Sequence, residues 1–198
     1  MRKLIFIAMI VVFVPNAFAG LTGLGFGVHG GLISGYKNPI LRDAIQIQYQ
    51  SFKLTGDMFD IGAHLNIGTL RVIEIDVELD YAWKKQEIIS GVDLTFSDFS
   101  VTGSVRKSIK LGILKPYAGA GIGLHTVAYS LDFGGQTVGV VLPGNESKTG
   151  YLLKAGLELD IPVFPLTPYG EWRYNAIQTT GKSTKYTSII FGITLNLP

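Results

Sequence analysis

Residues 73–83 run Ile-Glu-Ile-Asp-Val-Glu-Leu-Asp-Tyr-Ala-Trp. Ile73, Ile75, Val77, Leu79, Tyr81 and Trp83 are apolar or aromatic, and Glu74, Asp76, Glu78 and Asp80 between them are acidic. A helix would scatter these two sets around its circumference, whereas an extended strand places them on opposite faces. The segment is therefore a β-strand with one greasy face and one anionic face.

The same period recurs on both sides of it. In 58–68, Phe59, Ile61, Ala63, Leu65 and Ile67 alternate with Asp60, Gly62, His64, Asn66 and Gly68. In 151–161, Tyr151, Leu153, Ala155, Leu157, Leu159 and Ile161 alternate with Leu152, Lys154, Gly156, Glu158 and Asp160. In the last strand Ile189, Phe191, Ile193, Leu195 and Leu197 alternate with Ser188, Ile190, Gly192, Thr194 and Asn196. Weaker alternation marks 23–34, 95–106, 116–128 and 167–175, for eight strands in all. Between them, 36–56, 84–93, 127–148 and 176–186 read as long polar loops, and 69–71, 107–114 and 162–165 as short turns. An even strand count with long loops on one rim and short turns on the other predicts an all-β, antiparallel up-and-down transmembrane barrel.

Composition points the same way. Charged residues are 16 % of the chain, against ~25 % in soluble domains. The 25 glycines suit close strand packing. A net charge of +2 without a basic stripe gives no sign of nucleic-acid binding. Without cysteine there is neither a disulfide framework nor a thiolate metal site. At the N-terminus, Arg2 and Lys3 precede the apolar run Leu4–Val14, and Ala17-Phe18-Ala19 offers a cleavage site. Residues 1–19 read as a signal peptide and 20–198 as one barrel domain. The apolar run is too short for a membrane-spanning helix.

A soluble barrel would also alternate, with its apolar face inward. Glycines among the acids, few lysines on the polar strand faces, and aromatics on the apolar face favour the inverted arrangement. Tyr81, Trp83, Trp172 and Tyr174 are then membrane-interface aromatics. Eight strands leave an interior that side chains fill.

Further residues carry a family resemblance. Lys115-Pro116-Tyr117-Ala118-Gly119-Ala120-Gly121-Ile122-Gly123 resembles the Pro-Tyr-x-Gly-x-Gly-x-Gly strand of the outer-membrane-protein β-barrel family, the OmpX/OmpW-like small barrels. Tyr169-Gly170-Glu171-Trp172-Arg173-Tyr174 is similar to its Tyr-x-Glu-x-Arg-Tyr strand, and 192–197 resembles its C-terminal assembly signal. Pro198 stands where the family favours an aromatic residue. The resemblance implies an eight-stranded barrel in the cell outer membrane, with outer-membrane lipid and the assembly machinery as partners.

The inward face holds the candidate site. Asp76, Glu78, Glu158 and Glu171, with Lys154 and Arg173, form an expected interior charge network. Arg173 and Lys154 are expected to bridge to Glu78 and Glu171 across the lumen. Such a network gives the barrel a structural role or gates a narrow, cation-favouring path. One alternative is adhesion or binding through loops 36–56 and 127–148 to an extracellular partner. Another is a lipid A-modifying enzyme, for which His125, Ser130 and Asp132 are the best constellation. Catalysis, cofactors and metals are not expected: the acids of 74–80 recur every ~7 Å, too far apart to chelate alone.

Overall fold

The structure, a computed structural model, describes residues 23–37, 57–70, 73–89, 91–132, 146–161, 164–178 and 183–197. The expected signal peptide, most of loop 36–56, residues 133–145 and Pro198 lie outside the described residues.

Alternation dictates the elements. The strands are β1 (Leu24–Lys37), β2 (Met58–Leu70), β3 (Ile73–Ile89), β4 (Val92–Ser108), β5 (Leu114–Asp132), β6 (Glu146–Leu159), β7 (Leu166–Ile177) and β8 (Thr184–Leu197). Each pairs antiparallel with its neighbours in sequence, and β1 pairs with β8, so the sheet closes on itself. Closure leaves no open edge along the body of the barrel, the condition for placing a sheet in lipid.

The registers fix the barrel's shape. Crossing from Trp83 through Phe59, Leu32, Ile189, Trp172, Ala155, Ala118 and Lys107 returns to β3 at Ile73, ten residues from the start. With rises of ~3.3 Å and spacings of ~4.8 Å, that stagger over eight strands tilts them by about 41°. The interior is then narrow enough for facing side chains to meet.

Both chain ends of the barrel lie at the rim of short turns, where Leu24 pairs with Leu197. There β4 and β5 are joined by a tight turn closed by mutual Leu111–Leu114 backbone bonds, with Gly112 at φ 66°. At the opposite rim the sequence expectation for 84–93 fails. These residues are strand, not a long loop: Lys84 to Glu87 pair with Phe96 to Asp93, and the chain reverses around Gly91 at φ 80°. β5 likewise runs on to Asp132 beside β4. β3 therefore extends six residues past Trp83, its last pairing with β2, and among the described residues β3, β4 and β5 rise above the rest of the wall.

The exterior is apolar along the body of the barrel. Val28, Ile122 and Phe191 are 65 %, 62 % and 68 % exposed, whereas the inward Glu78 is 2 % exposed. A water-soluble fold buries the first set and exposes the second. This inversion is that of a transmembrane β-barrel.

Candidate functional site

The lumen is filled in layers, and strand parity determines which side chains fill it. Nearest the rim of long connections is an apolar plug. Ile33, Tyr36, Met58, Ala82, Leu94, Phe96, Val127, Ile177 and Tyr186 are all buried and form one cluster. The Tyr36 ring packs 4.7 Å from Phe96 and 5.5 Å from Tyr186. All but Tyr36 share the inward parity of the charged residues; Tyr36 turns inward because the register of β1 shifts between Ser34 and Lys37, with Gly35 at φ 67°. Being apolar, these positions do not stand out from lipid-facing residues in the sequence.

Below the plug lies the charged network. Lys154, from β6, donates from Nζ to Asp76 Oδ2 at 2.6 Å and Glu78 Oε1 at 2.5 Å, and stands 3.9 Å from Glu171. Arg173, from β7, places Nη2 2.8 Å from Glu78 and Nη1 3.0 Å from Asp80, and its Nε donates to Glu171. β3 and β7 face each other across the closed sheet, so the bonds of Lys154 and Arg173 to the carboxylates of β3 span the lumen; Glu171 stands on β7 itself and meets both bases from their own wall, not across the lumen as expected. Four of the six network residues read from the sequence, Glu78, Lys154, Glu171 and Arg173, thus meet in one cluster, with Asp76 at its edge.

Glu158 belongs to a second cluster nearer the short turns. Arg106 Nη1 is 2.5 Å from Glu158, Nη2 is 2.6 Å from Glu74, and Nε is 3.4 Å from Asp76. Lys115 bridges the same two glutamates at 2.6 and 3.2 Å. Asp76, contacted by both Lys154 and Arg106, joins the two clusters. Tyr117 packs its ring 4.5 Å under the Arg106 guanidinium and donates from its hydroxyl to Glu171 at 2.7 Å. Its ring lies against Gly156, where a Cβ would collide with it. Buried charges are tolerable only when they are paired, and every charge in the two clusters has an opposite charge within 4 Å.

The three histidines are also inside. His29 Nε2 meets Asp80 Oδ1 at 2.7 Å, His64 Nε2 meets Thr194 Oγ1 at 3.0 Å, and His125 Nδ1 meets Asp98 Oδ2 at 3.1 Å. The constellation of His125, Ser130 and Asp132 is not assembled. His125 is buried in the lumen, whereas Ser130 and Asp132, at odd spacing from it on the same strand, are exposed on the other face. Asp98 and Lys115 were missed in the sequence. Asp98 has the parity of Ser100 and Thr102, and that signal alone could have found it.

The interface aromatics divide. Tyr81 and Trp83 stack on the outer face at 5.7 Å, with Phe59 6.0 Å from Trp83. Tyr174 and Trp172 are also outward, but Trp172 is at the middle of β7, away from either end.

Comparison with known proteins follows this geometry. The chain superimposes on Neisserial surface protein A at a TM-score of 0.58 and 15 % identity, over 89 % of this chain and 98 % of that one. It superimposes on Ail, the attachment invasion locus protein of Yersinia pestis, at 0.56 and 17 %, over 88 % and 99 %. The outer membrane enzyme PagL matches at 0.50 and 13 %, over 83 % and 97 %. The fold is that of the small outer-membrane barrels. No family model matches the sequence, and no curated protein matches it by sequence. Identities this low carry the fold and not the activity.

Proposed function

We propose that this chain is an integral outer-membrane barrel whose lumen is closed to solutes, serving as a structural scaffold without catalysis. One observation carries the reading: the lumen is crossed by two linked ion-pair clusters and topped by the apolar plug. The void between them is only about 20 Å³, close to the size of a single water site. A second void, of about 270 Å³ between Glu74, Arg106, Lys115 and Glu158, lies at the short-turn rim.

A conducting path would have to break several buried pairs and part Ile33, Met58, Phe96 and Tyr186. The gated-pore alternative is therefore disfavoured. The outer-membrane address rests on the apolar exterior, the closed antiparallel sheet and the fold shared with Neisserial surface protein A and Ail. The protein purified from membranes and inserted into planar bilayers should show no discrete conductance steps. Cation-selective steps that change in Arg173→Ala would replace this reading with the gated pore.

A second reading has its own support. Among the described residues β3, β4 and β5 project beyond the other strands, ending at Ile89, Val92 and Asp132, and present an extension from which a partner can be engaged. Ail, which shares the fold, has been solved in complex with the heparin analogue sucrose octasulfate. Binding of cells or glycans by the intact protein, lost when Ile89–Val92 is replaced by a shorter turn, would support it. Unchanged binding would remove it.

A further inference from the structure

Between the apolar plug and the Lys154–Arg173 cluster lies the small cavity of about 20 Å³. Ile33, Ala82 and Tyr186 of the plug bound it on one side, and Arg173 on the other. Three carboxylates face it from three adjacent strands: Asp60 of β2, Asp80 of β3 and Asp98 of β4. Arg173 is the only Lys or Arg in that lining, and it is already shared among Glu78, Asp80 and Glu171.

Asp60 and Asp98 are 5 % and 3 % exposed, and the Oδ1 atom of each is buried without a hydrogen-bond partner. A buried carboxylate oxygen without a partner is costly, and the cost falls only when a cation or a donor meets it. Ser100, Thr102 and Asn175 line the same cavity and add neutral oxygens.

We propose that this cavity is a cation site that takes one Ca²⁺, with Asp60 and Asp80 as direct ligands and Asp98 facing the ion from β4. The geometry admits it. Ligand atoms of Asp60, Asp80 and His29 lie within 4.8 Å of one another. Two oxygens can share a Ca²⁺ when they are no more than about 5.2 Å apart, twice the upper Ca–O distance. His29 is outside the cavity lining and its Nε2 is held by Asp80 Oδ1, so the donors facing the ion from the lining are chiefly oxygens, the choice of a hard cation. Asp98 already meets His125 through Oδ2, but Asp60 and Asp98 each keep one oxygen without a partner, and a divalent ion balances two carboxylates where a monovalent ion balances one. Mg²⁺ keeps several of its waters, and the cavity has no room for them. With the plug above and the ion pairs below, the ion enters as the barrel folds and leaves slowly afterwards.

The test unfolds the full chain in urea, strips it with a chelator, and refolds it in nonionic detergent with millimolar Ca²⁺, Mg²⁺ or Na⁺. Folding is checked by the mobility of the unheated protein on gels, and bound metal is counted after a chelator wash. The proposal expects one retained Ca²⁺ per barrel, released on unfolding, and a higher Tm than after refolding in chelator. Asp60→Asn should refold and lose both the retained ion and the Ca²⁺-dependent rise in Tm. Asp98→Asn serves if that variant does not fold. Asp160→Asn, at the exposed rim, should keep both. No retained Ca²⁺ in the wild type overturns the site. Equal retention in the Asp60 and Asp98 variants places the ion elsewhere and overturns it too, as does equal retention of Mg²⁺ or Na⁺ in the wild type.

Discussion

Replacing Lys154 by Met keeps an unbranched apolar stem of similar length but deletes the ammonium at the centre of the network. The Lys154 side chain is 1 % exposed and its partners Asp76 and Glu78 are 4 % and 2 % exposed. Removing one member of a buried pair costs about 3–5 kcal/mol, because the partner's charge stays buried without compensation. Here each stranded carboxylate keeps some help. Asp76 retains Asn66 and Arg106, Glu78 retains Arg173, and Glu171 retains Arg173 and Tyr117. The expected loss is therefore at the lower end, about 3 kcal/mol. Adding Glu78→Gln to Lys154→Met removes one of the stranded charges and should recover part of the loss. The coupling between the two sites should be about 1–3 kcal/mol. Urea unfolding in phospholipid vesicles measures both, followed by fluorescence of the two tryptophans and by gel mobility. A loss under about 1 kcal/mol, the scale of an exposed pair, together with additive mutants, would refute a buried network.

Other expectations follow from the same structure. Val77→Arg or Leu157→Arg should each destabilise the barrel in lipid by about 2–4 kcal/mol, the cost of a cation at mid-bilayer; the same vesicle titration reads it, and a neutral result would place those residues elsewhere. Gly121→Ala should destabilise by about 1–3 kcal/mol, because a Cβ there would stand 2.5 Å from the Gly103 carbonyl and 2.6 Å from Ser104 Cβ. Gly103→Ala, whose Cβ meets nothing within 4 Å, should be near neutral, and equal effects at the two sites would contradict the register of β4 and β5. Phe96→Ala, in the plug, should cost about 3–5 kcal/mol, and a negligible change in unfolding would argue against a packed layer there.

The barrel was legible because lipid and lumen impose opposite demands on alternate residues, and β3 writes that alternation without a break from Ile73 to Tyr81. It faded where one demand disappears. Lys84, Lys85, Gln86 and Glu87 lie above the apolar band, where no lipid selects an apolar face, so they read as loop although they hydrogen-bond to β4. The site was legible in part. Parity identified Glu78, Lys154, Glu171 and Arg173 as lumen residues, but which carboxylate each base takes depends on the ten-residue stagger and the resulting tilt, and no local pattern records that. The apolar plug escaped for a related reason: Met58, Phe96 and Ile177 obey the inward parity while resembling lipid-facing residues in type.

The most direct test of the account is a nitroxide scan along β3 in lipid vesicles, which a chain without cysteine permits with single-cysteine variants. Labels at Ile73, Ile75, Val77, Leu79 and Tyr81 should be accessible to oxygen, which partitions into the bilayer, and shielded from a water-soluble nickel complex. Labels at Glu74, Asp76, Glu78 and Asp80 should be shielded from oxygen and slow in motion. The opposite phase, with the apolar positions shielded and the acidic ones open to nickel, would show a water-soluble barrel and contradict the account.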